Sequence, residues 1–244
     1  MFSILITQSM NFLNLKNVSN INRRPRISVN PLCEYVLATA SKRNTIIKNC
    51  KIPPTFMIRY YNQAEDILAF YLSAMRDDLG GIAMEVSRLK NASYKDQNAR
   101  KNGQTSADAL ESFLKYETEV NSLLSRYHLK MTLNAKNPKL LIKGVEISLR
   151  PELAVYDGLG KSQIGFVKFY FSKSAPLSKT KGELMACLVR EFYSKITNQS
   201  FKSKDCMILD VYNGKIFTAP NAFLKRMADI ECSCQEIADR WDRV

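Results

Sequence analysis

Residues 150–173 read RPELAVYDGLGKSQIGFVKFYFSK, and the fold turns on this stretch. Leu153 to Tyr156 and Ile164 to Phe171 are rich in apolar, β-branched and aromatic residues. Asp157-Gly158-Leu159-Gly160 between them supplies the residues that reverse a chain. The pattern predicts two adjacent strands. Glu152 opens the first behind Pro151, and Lys168 stands among apolar neighbours in the second, so the pair of strands brings a carboxylate to an ammonium group.

Working outward, strands are predicted at 129–133, 140–143 and 145–149 before this pair and at 206–212 after it. Asn137-Pro138, Gly144 and Asn213-Gly214 punctuate them. Between 171 and 206 the period lengthens: a helix from about Lys181 to Lys195 carries Leu184, Leu188 and Phe192 on its inner face, with Ile196 just beyond. The order helix, three or four strands, helix, strand gives an α/β (α+β) class, with the last strand able to run parallel to an earlier one.

Upstream of His128 the apolar spacing is helical. Asn30 and Pro31 suit a helix start, and Ser41 opens a second, basic helix. Tyr60, Ala64, Ile67, Leu68, Tyr71, Leu72 and Met75 predict one long helix from about Thr55 to Leu79, ended by Gly80-Gly81. A helix follows from Ile82 to Leu89, then a polar loop through Gln104. Thr105 and Asp108 read as a capping box for a helix burying Leu110, Phe113, Leu114, Val120, Leu123 and Leu124. At the far end Phe223, Met227, Ile230, Cys234, Ile237 and Trp241 recur at alternating spacings of four and three, a seam that packs on the core or on a partner protein. The expected organisation is a basic arm over 1–27, a helical lobe over 28–104, an α/β core over 105–218 and a C-terminal amphipathic helix over 219–244.

The chain has 36 Lys and Arg against 23 Asp and Glu, a net charge of +13. The surplus is concentrated early: residues 1–60 hold nine bases and a single acid, Glu34, whereas 205–244 hold five bases and seven acids. Such a balance points to a polyanionic partner such as a nucleic acid. The expected contacts are Arg23, Arg24, Arg26, Lys42, Arg43 and Lys48, joined by Lys173, Lys179 and Lys181 in a Ser- and Lys-rich stretch before a helix start. Tyr60 and Tyr61 beside Arg59 suit either base stacking or an amphipathic core.

Several chemistries are set aside by composition. His128 is the one histidine, so a histidine-based triad or multi-histidine metal site within one chain is excluded, and no Walker or dinucleotide-binding glycine pattern occurs. The six cysteines fall in apolar patterns and lack zinc spacing, as expected of free thiols in a reducing compartment. No run approaches the ~18 apolar residues of a membrane span, and the opening MFSILITQSM lacks a basic signal-peptide start, so a cytoplasmic location is expected.

The element order, together with RPELAV at 150–155 and GFVKFYFSK at 165–173, resembles the PD-(D/E)XK nuclease superfamily, the fold of many restriction enzymes and prokaryotic defence nucleases. The resemblance covers roughly residues 105–218. It implies a restriction-endonuclease-like mixed sheet, a role in prokaryotic defence or mobile-element biology, and hydrolysis of DNA phosphodiesters with Mg2+ or Mn2+. In that family an acid at one strand start and an acid-x-Lys on the next hold the metal, and the lysine orients the attacking water. Carboxylates suit these hard ions. By this match Glu152 is the first acid and metal ligand, and Lys168 the catalytic lysine. Phe166 stands where the second acid belongs. Glu146 substitutes if its strand continues past Pro151, and Glu119 or Glu117 if the preceding helix supplies the ligand. Two other readings stand beside this one: a structural Glu152–Lys168 ion pair in a non-catalytic DNA-binding or adaptor subunit, and a protein-binding adaptor whose charge serves solubility.

Overall fold

The computed structural model describes residues 21–54, 60–74, 79–132 and 139–244. The chain is α+β, with two mixed sheets. A short strand β1 (Arg26–Ser28) leads into helices α1 (Val29–Leu37) and α2 (Ala40–Lys51). Four more helices follow: α3 (Asn62–Ala74), α4 (Leu79–Asn91), α5 (Gln97–Leu114) and α6 (Glu117–Leu124). Strands β2 (His128–Met131), β3 (Lys139–Ile142), β4 (Val145–Ser148), β5 (Leu153–Tyr156) and β6 (Gln163–Tyr170) come next. After them lie α7 (Lys179–Thr197), β7 (Cys206–Asp210), β8 (Lys215–Thr218) and α8 (Phe223–Arg240).

The larger sheet has the order β2-β5-β6-β7-β8 and the smaller one β1-β4-β3. In the larger sheet β6 and β7 are parallel, joined across α7, and its other neighbours are antiparallel. The β3–β4 hairpin leaves the larger sheet and takes β1 as a parallel third strand, pairing Ile27 with Ile147. Lys143 and Gly144, both at positive φ, form its two-residue turn, the backbone that matches strand twist.

Side chains on a strand alternate between faces, so one hairpin feeds two cores. Ala154, Phe166, Tyr170, Cys206 and Ile208 belong to a core shared with α1, α2, α7, α8 and the smaller sheet. Leu153, Val155, Val167, Phe169, Met207 and Leu209 belong to a second core shared with α3, α4, α5 and α6. The larger sheet is thus covered on both faces, which explains why β6 and β7 read as nearly unbroken apolar runs. Helices expected as one N-terminal lobe are divided between the two layers.

Several boundaries differ from the sequence expectation. The last residues of the expected arm form β1. The described part of the long helix is α3, and 55–59 and 75–78, with Met75, lie outside the described residues. Gly81, expected with Gly80 to end that helix, lies in the first turn of α4. Thr105 and Asp108 are interior to α5. Its cap is Asp96, whose Oδ1 accepts the Ala99 amide at 2.7 Å, so the helix opens eight residues before Thr105. The polar positions from Gln97 to Gln104 had suggested a loop, but they start an amphipathic helix with Gly103 and Ser106 turned inward. The C-terminal seam is spent on the chain's own core: Met227, Ile230, Cys234, Ile237 and Trp241 are buried in it. Trp241 Nε1 also donates to Asn22 O at 3.1 Å, and Lys51 Nζ donates to Trp241 O at 2.8 Å, tying this end to α2.

Gly165 marks the closest approach in the larger sheet. A Cβ built there would lie 1.8 Å from the backbone oxygen of Asp205, which has no flexible side chain to yield. Gly165→Ala is expected to cost about 1–3 kcal/mol as overpacking, read as a lower urea midpoint with an unchanged denaturant slope.

Candidate functional site

The Glu152–Lys168 pair forms as the hairpin predicts. Glu152 N donates to Val167 O at 3.0 Å just before β5 begins, with Pro151 preceding it. One rung further the ladder passes to a side chain: Phe169 N donates to Glu152 Oε2 at 2.5 Å. Lys168 Nζ donates to Glu152 Oε1 at 3.2 Å and to the Arg150 carbonyl at 2.8 Å. Both carboxylate oxygens are therefore engaged within the protein.

The site is nearly dry. The Glu152 and Lys168 side chains are 6% and 14% exposed. Burial pushes the Glu152 carboxyl above its ordinary pKa, while the Lys168 ammonium and the Phe169 amide pull it back down, and Glu65 adds to the upward push. Tyr193 on α7 is raised as well, by burial first and then by the charge of Glu152.

Phe166, at the position of the expected second acid, is core. Its ring stacks on Tyr193 at 3.6 Å between centroids and meets Phe201 edge-on at 5.6 Å. The substitute acids lie elsewhere. The strand carrying Glu146 stops at Ser148 and is in the smaller sheet, so the continuity that would have aligned Glu146 with Glu152 is absent. Glu146 instead pairs with Lys139 at 2.5 Å. Glu119 is exposed on α6, and Glu117 is buried there, accepting the Tyr71 hydroxyl. Helix α6 packs through Val120 and Leu124 into the core across the sheet from Phe166.

An acid with no local signal in the sequence is linked to the pair through Arg150 instead. Glu65, in the first turn of α3, pairs with Arg150 at 3.2 Å and acts on Glu152 electrostatically. It lies 87 residues before Glu152, so nothing local in the sequence signals the encounter. Each Glu152 oxygen already accepts one hydrogen bond within the protein and Glu65 faces the Arg150 guanidinium, so a divalent ion at Glu152 would compete with Lys168 and the Phe169 amide for the carboxylate.

The expected nucleic-acid contacts divide. Arg43 is a strut: its guanidinium reaches Glu236 at 2.8 Å and the carbonyls of Tyr35 and Val36 at 3.1 and 3.3 Å. Lys42 pairs with Glu34 at 2.5 Å, and Lys173 with Asp108 at 3.0 Å. Lys181 lies over the Tyr170 ring. Arg26 is exposed on β1, within the electrostatic reach of Glu146 together with Arg24. Arg23, Arg24, Lys48 and Lys179 are exposed and form no ion pair among the described residues. Tyr61 stacks on Phe171 at 4.8 Å and Lys101 sits over Tyr60, so both rings are at least partly engaged. Arg59 lies outside the described residues. The six cysteines are free, and burial pushes the Cys206 thiol up to about 12. Among the described residues no helix is long and apolar enough to cross a membrane.

No family model, curated protein or solved structure matches the chain.

Proposed function

We propose that this is a cytoplasmic nucleic-acid-binding protein built on a PD-(D/E)XK nuclease-like core, in which the Glu152–Lys168 pair serves the fold rather than catalysis. The antiparallel β2-β5-β6 run, interrupted in sequence by the β3–β4 hairpin and followed by α7 and the parallel strand β7, supports the core assignment. Exposed Arg23, Arg24, Lys48 and Lys179, which form no ion pair among the described residues, on a chain of net charge +13 are the observation that carries the binding reading. DNA is the expected polyanion. A non-catalytic subunit of a prokaryotic defence or DNA-processing complex is the setting that fits this reading. Any protein partner docks on a surface other than the buried C-terminal seam.

The test is DNA binding by a variant with those four residues changed to Gln. Each phosphate contact contributes about 0.9 to the slope of log affinity against log salt on duplex DNA, so the variant is expected to bind more weakly with a slope shallower by roughly three to four. Unchanged affinity and slope would reject the assignment.

The link of Glu65 to the pair through Arg150, whose carbonyl accepts from Lys168, favours a second reading, metal-dependent DNA hydrolysis. Cleavage by highly purified protein with Mg2+ or Mn2+, lost in Lys168→Ala at a temperature where both proteins are folded, would establish it.

A further inference from the structure

Away from the Glu152–Lys168 pair, three loops converge at the turn end of the β5–β6 hairpin around an open depression of about 400 Å3 with a mixed polar and apolar lining. The α6–β2 junction contributes Arg126, the hairpin turn contributes Asp157, and the segment between α7 and β7 contributes Ser200, Lys202 and Lys204. The two carboxylates of the depression are already engaged. Asp157 Oδ1 accepts the Lys161 amide at 2.9 Å, and buried Asp205 accepts the Tyr127 hydroxyl at 2.8 Å. The three cations are exposed and form no ion pair among the described residues. The Arg126 guanidinium lies over the Tyr127 ring, 4.8 Å from its centroid, which limits the directions it can point.

The walls are held in place. Asn198 ends α7 in the left-handed region and turns the chain. Arg190 then clamps the following segment, donating to Phe201 O at 2.7 Å and Ser203 Oγ at 3.2 Å. The contact of Gly165 with Asp205 O fixes that segment against β6. Three exposed cations against two carboxylates leave the lining of this concave, hydroxyl-bearing and firmly backed space net positive, which suits an anion, and its volume admits a ligand of nucleotide size.

We propose that this depression binds a phosphate-bearing ligand of nucleotide size, with Lys202, Lys204 and Arg126 holding the phosphate oxygens. The phosphate could be carried by a free nucleotide or by the 5′ end of a strand. The proposal does not depend on the DNA-binding reading, because its residues are distinct from the four cations assigned there.

The experiment is calorimetric titration of the full chain, at physiological salt, with inorganic pyrophosphate, ADP, and a short single strand with or without a 5′ phosphate. Saturable binding is expected, weakened tenfold or more by Lys202→Gln with Lys204→Gln, and left within twofold by the control Lys215→Gln with Lys225→Gln, two exposed lysines outside both proposed sites. Preference for ADP identifies a free-nucleotide site, whereas preference for the phosphorylated over the unphosphorylated strand identifies an end-binding site. No saturable binding of any probe to folded protein, or equal weakening by the control pair, would overturn the proposal. Both lysine pairs are exposed, so the variants are expected to fold, which circular dichroism verifies.

Discussion

Lys168→Met is expected to destabilise the protein by about 3–5 kcal/mol at neutral pH, the scale for removing one partner of a buried ion pair. Glu152 would remain buried with the Phe169 amide but without its ammonium partner, and the Arg150 carbonyl would lose its donor. The loss should depend on pH in a definite direction. The Glu152 pKa is already raised in the folded state by burial, so its contribution to stability is fully present below the unfolded value of about 4.3 and is lost as pH rises through the folded value. Removing Lys168 takes away the strongest downward pull, raises the folded pKa further, and enlarges the loss at neutral pH. The gap in urea midpoint between wild type and variant is therefore small near pH 4.5 and large at pH 7.5. Adding Glu152→Gln to Lys168→Met should recover part of it, because an amide oxygen still accepts from Phe169 and carries no charge. A gap independent of pH would show that packing, not the buried carboxylate, dominates.

Phe166→Ala carries a comparable expected cost, about 3–5 kcal/mol, through a cavity between β6 and α7. The ring is 4% exposed and in contact with both Tyr193 and Phe201, and neither neighbour sits on a loop free to collapse inward: Tyr193 is on α7, and Phe201 O is held by Arg190. Phe166→Leu should cost distinctly less, since it keeps most of the volume. Equal stability of wild type and Phe166→Ala in urea unfolding would mean that this face of the sheet is not a packed core, and would reopen position 166 as a functional one.

The sequence carried the larger sheet's central hairpin, the parallel return strand and the C-terminal seam because each is written in local period: two for the strands, alternating three and four for the helix. It did not carry the division of the N-terminal helices between two layers. Amphipathicity shows that Leu68 and Leu32 are buried, not which face of the sheet each one meets. The start of α5 was obscured because its first two turns are mostly polar, and the deciding residue was a single capping carboxylate, Asp96. At the site, Glu152, Lys168 and the mismatch at Phe166 were legible from alternation across the hairpin. Glu65 was not, because its pairing with Arg150 is a tertiary contact, and the loss of Glu146 from the group followed from a strand break that Pro151 only hinted at. The basic residues show the same limit: composition identified Arg43 and Lys48 alike, and only three-dimensional structure separates a strut bonded to Glu236 from an exposed cation.

The most direct test of the account is the affinity of the wild-type protein for duplex DNA in EDTA, measured across a series of salt concentrations. Binding that persists without divalent metal and weakens steeply and linearly in log affinity against log salt is the predicted result. Absence of measurable binding at physiological ionic strength, or binding that appears only when Mg2+ or Mn2+ is restored, would contradict it.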